Sequence, residues 1–341
     1  MLFKKKISVG IDIGSNMIKI IGIQKNEKIH IEFINSIDLY HTKKIKRPED
    51  LNDTILVQSI RKIFDSLKKF KLSKVNISIS SQNAIVRSLE MPIIEGDDLK
   101  SAILWKLTNI IPYTTKDIKF DYQVLNLNKN NKTQDVLVGV VPSSDMKRIL
   151  DILSRLNLHP DLVDIDSLAV YHCFKSLYDD TKNKTVALFN IGAEKTSLII
   201  TNPNHNPYFI SLNLGGNTIT QDIMKNLHTS FIKAEQLKIN SHTHSNNQKH
   251  NSEANEKFDI KKYYKLFKYK LSLELKRAEI YYQTQYGEEK IENIFLTGGE
   301  AKSDNYWNPL KEDIIVNNTD NEHFDEIGPF FTTALGLALR D

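Results

Sequence analysis

The stretch VGIDIGSNMIKIIGI, Val9 to Ile23, decides the fold of this chain, because it recurs as ALFNIGAEKTSLII, Ala187 to Ile200. Each copy is an apolar run, then Asp or Asn, one apolar residue, Gly, a small residue and a second apolar run. That pattern predicts two strands joined by a tight turn. Gly permits a positive φ and lets backbone come close to a ligand. Successive free N–H groups in such a turn form a concave nest for anions, phosphate above all. A strand-loop-strand phosphate grip used twice predicts two related lobes closing on one nucleotide.

Outward from the first copy, residues 7 to 40 read as strands, and 55–70 carries apolar residues at helical spacing with basic residues opposite. KVNISIS and AIVRSLEM, within 75–91, alternate like a pair of strands that Pro92 ends. Asp97 and Asp98 open a helix, their charge suiting its N-terminus, and Pro112 stops it. A hairpin around NKNNKT follows, then a helix capped by Ser143 or Ser144, a short strand DLVDI and a helix from Asp166. Residues 75–157 thus predict a two-strand, helix, two-strand, helix unit inserted in the first lobe. After the second copy come a hairpin partner ending in Gly215–Gly216, a helix over 218–228, and a polar low-complexity stretch, 240–256, expected to be a flexible loop. A long helix from Ile260 to Tyr286 packs through Tyr264, Phe267, Leu271, Leu275 and Ala278. A strand ENIFLTGGE and a last helix FFTTALGLALRD close the chain.

Composition sets limits. The chain has 341 residues, 40% hydrophobic and 26% charged, so it can bury real cores. Its one cysteine, Cys173, excludes an internal disulfide and is expected in the core. No Cys/His spacing points to zinc, and His242, His244 and His250 lie in a loop that nothing orders. The N-terminus lacks signal-peptide features, and no apolar stretch approaches the roughly 20 residues of a membrane helix. A cytoplasmic protein is expected, reaching a membrane through partners only. The net charge of +4 is mild. Lys4 to Lys6 and Lys43 to Arg47 are solvated surface or touch anionic lipid, and nucleic-acid binding has no motif behind it.

The ordered set GIDIGSNMIKI, VNISISSQNAIVRSLEMP, SAILWKLTNIIPY, FDYQVL, VDIDSLAVYH, FNIGAEKT, LGGNTIT with AEQLK, FLTGGEA and ALGLALR resembles the actin-like ATPase fold, an α/β architecture of two lobes. Within it the chain resembles the PilM family of type IV pilus assembly proteins, above all through Trp105 and Pro112 followed by DYQVL. The resemblance implies subdomain IA at 1–74 and 158–185 and an inserted subdomain IC at 75–157, shared with the FtsA-like branch. It implies IIA at 186–216 and 292–341, and IIB at 217–291. It implies ATP or ADP between the lobes with Mg2+, and slow or absent hydrolysis. It also implies binding of the cytoplasmic N-terminal peptide of a PilN-like inner-membrane protein in a groove near IA and IC, and a place beside the pilus motor and platform proteins at the inner membrane.

By the same resemblance Asp12 faces the metal through water, and Gly14, Ser15, Asn16 and Lys19 meet the phosphates. In the second loop Gly192, Ala193, Glu194 and Thr196 form the turn. Relatives carry Asp and Thr where this chain has Asn190 and Lys195, so phosphate contact is expected to survive and hydrolysis to suffer. Asp166 falls where relatives orient the attacking water, or else it caps its helix. Gly215 and Gly216 precede a helix N-terminus, a common anion position. Gly298 and Gly299 resemble the adenosine motif, although the Pro-Gly-Leu that follows in relatives is replaced by AKSDNYW. Glu235 and Lys238 share a helix face, either at the ribose and base or as a surface ion pair. Relatives often have Glu where this chain has Lys106. Three other readings remain: an FtsA-like division protein, disfavoured because the chain stops at Arg340–Asp341 after the last helix; an actin-fold sugar or acetate kinase; and a type II secretion adaptor.

Overall fold

The computed structural model describes residues 6–40, 45, 47, 50–68, 70–80, 82–178, 184–243, 260–287, 290–301, 306–311, 314–316 and 327–340. The first copy of the repeated stretch forms β1 (Ile7–Ile13) and β2 (Met17–Lys25), paired antiparallel up to Ile13 opposite Ile18. β3 (Ile29–Asp38) continues the meander. Almost every residue of β1 is buried, on both faces, as expected of a strand covered by other elements on either side. α1 (Asp53–Ser66) starts at Asn52, whose side chain accepts from the Ile55 N–H, and buries Leu56, Ile60 and Ile63 at helical spacing.

β4 (Leu72–Ile79) is followed by β5 (Ile85–Pro92), yet the two do not pair with each other as their alternation suggests. β4 lies parallel to β1, and β5 joins a separate three-stranded sheet. Period-two alternation says that a segment is a strand and nothing about its partner. α2 (Gly96–Leu107) covers this small sheet through Leu99, Ile103 and Leu107, and leaves Trp105 73% exposed. The sheet is completed by the hairpin β6 (Ile118–Asn128) and β7 (Thr133–Pro142), in the order β5-β7-β6. α3 (Ser143–Ser154) has Pro142 at its N-cap, so neither Ser143 nor Ser144 caps it. β8 (Leu162–Ile165) pairs parallel with β4 and leads into α4 (Asp166–Leu177), with Cys173 fully buried.

The second lobe repeats the first. β9 (Val186–Ile191), β10 (Thr196–Asn202) and β11 (His205–Leu212) form an antiparallel meander. α5 (Gly216–Leu227), α6 (Phe231–Thr243) and α7 (Lys261–Tyr286) follow, so 240–243 is helical rather than loop. Residues 244–256, with His244 and His250, lie outside the described residues, as do the side chain of His242, Lys4 and Lys5, and most of the 43–47 run. α7 turns Tyr263, Phe267, Leu271, Ala278 and Tyr282 inward, with Tyr264 and Leu275 only partly buried at the edge of that face. β12 (Asn293–Thr297) lies parallel to β9, as β4 does to β1. The sheet orders are β13-β3-β2-β1-β4-β8 and β11-β10-β9-β12. β13 (Ile314–Val316), a three-residue strand, crosses back to the first sheet beside β3. α8 (Thr332–Ala338) is buried along its whole length and packs against β1 and α4, which also places it with the first sheet.

Candidate functional site: a cleft between the lobes

The two turns of the repeat face each other across a cavity of about 170 Å³. They share one geometry. The Gly14 N–H donates to the Met17 carbonyl at 3.0 Å, and the Gly192 N–H donates to the Lys195 carbonyl at 2.9 Å. Neither glycine has a positive φ. Glycine is required there by proximity, since a Cβ on either would stand 2.9 Å from that same carbonyl. Among the described residues, the N–H groups of Ser15, Asn16, Ala193 and Glu194 meet no protein acceptor, so each turn offers two donors to an anion.

The charged groups are paired. Asp12, 5% exposed, accepts from Lys19 Nζ at 2.7 Å through Oδ2 and from Ser78 Oγ at 3.0 Å through Oδ1. Asp12 and Lys19 lie directly opposite on β1 and β2, so the strand register itself makes the pair. Asp166 is the first residue of α4, with Ile165 at the N-cap, so capping is not its role. Its Oδ1 accepts from the Ser167 N–H at 2.8 Å, and its Oδ2 from Ser80 Oγ at 3.0 Å. Lys195, buried in the second turn, stretches across the cleft and places Nζ 3.0 Å from Oδ1 and 2.9 Å from Oδ2. A second bridge joins the lobes where Asn16 Nδ2 donates to Asn217 Oδ1 at 3.1 Å.

At the other end, Gly298 has φ +94°, and a Cβ there would lie 2.5 Å from the Ile191 carbonyl and 2.7 Å from Asn190 Oδ1. Gly298, Gly299 and Phe330 form one wall of the cavity, with Glu235, Ile239 and Glu300 nearby. Lys238 is buried behind that wall rather than on it. Its Nζ lies 2.5 Å from Glu300 and 3.0 Å from Glu235, so the expected Glu235–Lys238 pair exists as part of an interior triad. Burial pulls the Lys238 ammonium down, but Glu300 and Glu235 outweigh it and hold it above the usual lysine value. Tyr264 is pushed up strongly, by burial first and then by the two carboxylates.

Most of the residues singled out by sequence therefore meet in one place: Asp12, Gly14, Ser15, Asn16, Lys19, Asp166, Asn190, Gly192 to Lys195, Glu235, Gly298 and Gly299 line the cavity. Thr196, Gly215, Gly216 and Lys238 do not. Gly216 and Asn217, the first residues of α5, donate their N–H groups to the Gly192 carbonyl at 2.9 Å and the Ala193 carbonyl at 2.7 Å. That helix N-terminus clamps the second turn and is not turned to an anion. A Cβ on Gly215 would meet the Ala193 carbonyl at 2.5 Å, so close packing accounts for that glycine. Sequence reasoning missed Ser80, Glu300 and Phe330. The signal for Ser80 was available, since Ser78 and Ser80 alternate with Ile77 and Ile79 at the end of β4. Phe330 had none.

A larger cavity, about 570 Å³, opens where the small sheet meets the first lobe. Phe120, Tyr122 and Leu125 of β6 line one side, and Leu162, Val163 and Leu168 of β8 and α4 the other. Arg340 reaches its floor and binds Asp164 Oδ2 through Nη2 at 2.6 Å and Nε at 2.9 Å. β6 and β8 each stand at the end of a sheet order, so two strand edges border the same groove.

Two lobes with one strand order, each presenting a glycine turn to a common cleft, with a small sheet inserted in the first, define the actin-like ATPase fold. The family model described as "Type IV pilus assembly protein PilM" matches residues 10–341, and the chain belongs to that family. Among solved structures it is similar to the PilM-PilN type IV pilus biogenesis complex, with a TM-score of 0.78 at 20% identity over 98% of both chains. It is also similar to the ethanolamine utilization protein EutJ from Carboxydothermus hydrogenoformans, with a TM-score of 0.54 at 12% identity over 99% of this chain and 90% of that one.

Proposed function

We propose that this chain is a nucleotide-binding scaffold of type IV pilus assembly. It holds ATP or ADP between its lobes and takes the cytoplasmic N-terminal peptide of a PilN-like inner-membrane protein in the groove beside β6 and β8. Its place is cytoplasmic, peripheral at the inner membrane, next to the pilus motor and platform proteins. The small sheet serves as subdomain IC, the first sheet as IA, and the second lobe as IIA and IIB.

The observation that carries the nucleotide reading is the pair of matched turns, each with two N–H groups aimed at one cavity. A diphosphate bridging them touches both lobes at once, with the purine against Gly298, Gly299 and Phe330. The cavity is smaller than the roughly 300–1,000 Å³ of ordinary ligand pockets. Entry of a nucleotide therefore goes with some opening of the Asn16–Asn217 bridge. Hydrolysis is slow or absent on this reading. A general base must reach the attacking water with a free lone pair, and Asp166 is held by Lys195, Ser80 and the Ser167 N–H.

The peptide reading rests on the groove. Its walls are mostly apolar and its two strand edges suit an extended segment that adds backbone hydrogen bonds and buries alternate side chains. The test is titration of the purified protein with nucleotide and with synthetic N-terminal peptides of inner-membrane pilus proteins, alongside a turnover assay. Binding of both with little turnover supports the scaffold. Rapid phosphoryl transfer to a small molecule contradicts it and favours the kinase reading.

A further inference from the structure

We infer that Lys19 and Lys195 take the carboxylates that would otherwise hold a divalent ion, and meet the nucleotide phosphates themselves, so that ADP and ATP bind this chain without magnesium. The inference rests on the nucleotide reading of the cleft and concerns how that site balances charge.

Of the carboxylates that line the cavity, the two that are buried are Asp12 and Asp166, and each already has an ammonium group against it, at 2.7 Å and at 2.9 Å. Magnesium demands near-octahedral oxygen ligands and keeps several of its waters. A carboxylate holds such an ion by accepting from those waters. Here Lys19 Nζ takes Asp12 Oδ2 while Ser78 takes Oδ1, and Lys195 spans both oxygens of Asp166. An approaching divalent cation meets like charge in both places. The lysines have little room to swing aside, since their side chains are 14% and 9% exposed.

The internal repeat sharpens the point. By strand register Asn190 and Ser197 in the second lobe occupy the places of Asp12 and Lys19 in the first. The second lobe therefore opposes a charged pair with a neutral one, and contributes its cation from Lys195 instead. Lysine is a compact point charge on a flexible stem with three donors, suited to phosphate oxygens. One lysine from each hairpin thus lines the cavity where the two pairs of turn N–H groups converge.

The test is calorimetric titration of the full chain with ADP, once in excess EDTA and once in excess magnesium chloride. The expected result is a dissociation constant that agrees within about threefold between the two. Binding about tenfold or more tighter with magnesium overturns the inference and leaves the nucleotide reading standing. Absence of binding in both overturns the nucleotide reading and the inference with it. The double variant Lys195→Thr/Asp166→Asn removes both charges together, so no lone carboxylate is left buried. In EDTA it is expected to bind ADP about tenfold or more weaker, and magnesium is expected not to restore binding, since no carboxylate is left open to hold the ion. Unchanged binding in EDTA overturns the role of Lys195. Lys19→Gln, which keeps a donor to Asp12, gives the same reading for the first hairpin if the double variant does not fold.

Discussion

Lys195 of the second turn and Asp166 at the start of α4 meet across the cleft, with the ammonium 3.0 and 2.9 Å from the two carboxylate oxygens. Both side chains are more than nine-tenths buried, so neither finds a substitute in bulk water. Removing one partner of such a pair costs about 3–5 kcal/mol, because the other charge is left uncompensated. Lys195→Met is therefore expected to lower the urea unfolding free energy by about that amount. Lys195→Met/Asp166→Leu is expected to recover most of it. A double-mutant cycle with no coupling between the two sites would show that the contact does not persist in solution.

Gly298 carries a second prediction. Its φ of +94° disfavours any side chain, and a Cβ would press on the Ile191 carbonyl at 2.5 Å. Strained backbone of this kind costs of order 1–3 kcal/mol. Gly298→Ala is expected to lose about that much stability, and to weaken nucleotide binding more than Gly96→Ala does. Gly96 also has a positive φ, but it faces open space away from the cleft. Equal nucleotide affinity in the two variants would remove Gly298 from the purine wall.

The triad of Lys238, Glu235 and Glu300 predicts alkaline sensitivity. Lys238 and Tyr264 both titrate above their ordinary values in the folded chain. A group raised on folding contributes stability that is full below its unfolded pKa, near 10 for both types, and is lost as pH rises through the folded value. The unfolding free energy is therefore expected to be level near neutral pH and to fall above about pH 10. Tyr264→Phe removes one of the two protons involved and should flatten that fall. An unchanged slope would show that Tyr264 ionises normally.

The groove gives a fourth prediction. Leu168, on α4, lines it and lies outside the nucleotide cavity. Leu168→Lys puts a charge among apolar side chains and is expected to weaken the inner-membrane peptide by about tenfold or more, while ADP affinity holds. Calorimetry with each ligand in turn separates the two effects.

Much of this was legible in the sequence for identifiable reasons. The two turns announce themselves because Gly14 and Gly192 stand at the same offset between apolar runs, and Asp166 and Gly298 follow strands that end at the cleft. Pairing was less legible. β4 and β5 are adjacent in sequence and both alternate, yet β4 belongs beside β1, a choice made by long-range burial that local period cannot encode. The N-terminus of α5 looked like an anion site because Gly215–Gly216 precede it, and only the fold reveals that the carbonyls of Gly192 and Ala193 occupy its donors. Lys195 stood out as a departure from the family pattern, but its reach to Asp166 depends on how the lobes approach one another. Phe330 comes to the cleft from a segment far along the chain and carries no local mark of its role.

The central claim is that one chain joins a nucleotide cleft to a peptide groove. The most direct test is calorimetric titration of the ADP-loaded full chain with the synthetic cytoplasmic N-terminal peptide of its PilN-like partner, run in parallel on Leu168→Lys. The account predicts one peptide bound per chain and loss of binding in the variant. Absence of peptide binding to the unaltered chain, or binding that Leu168→Lys leaves untouched, would contradict it.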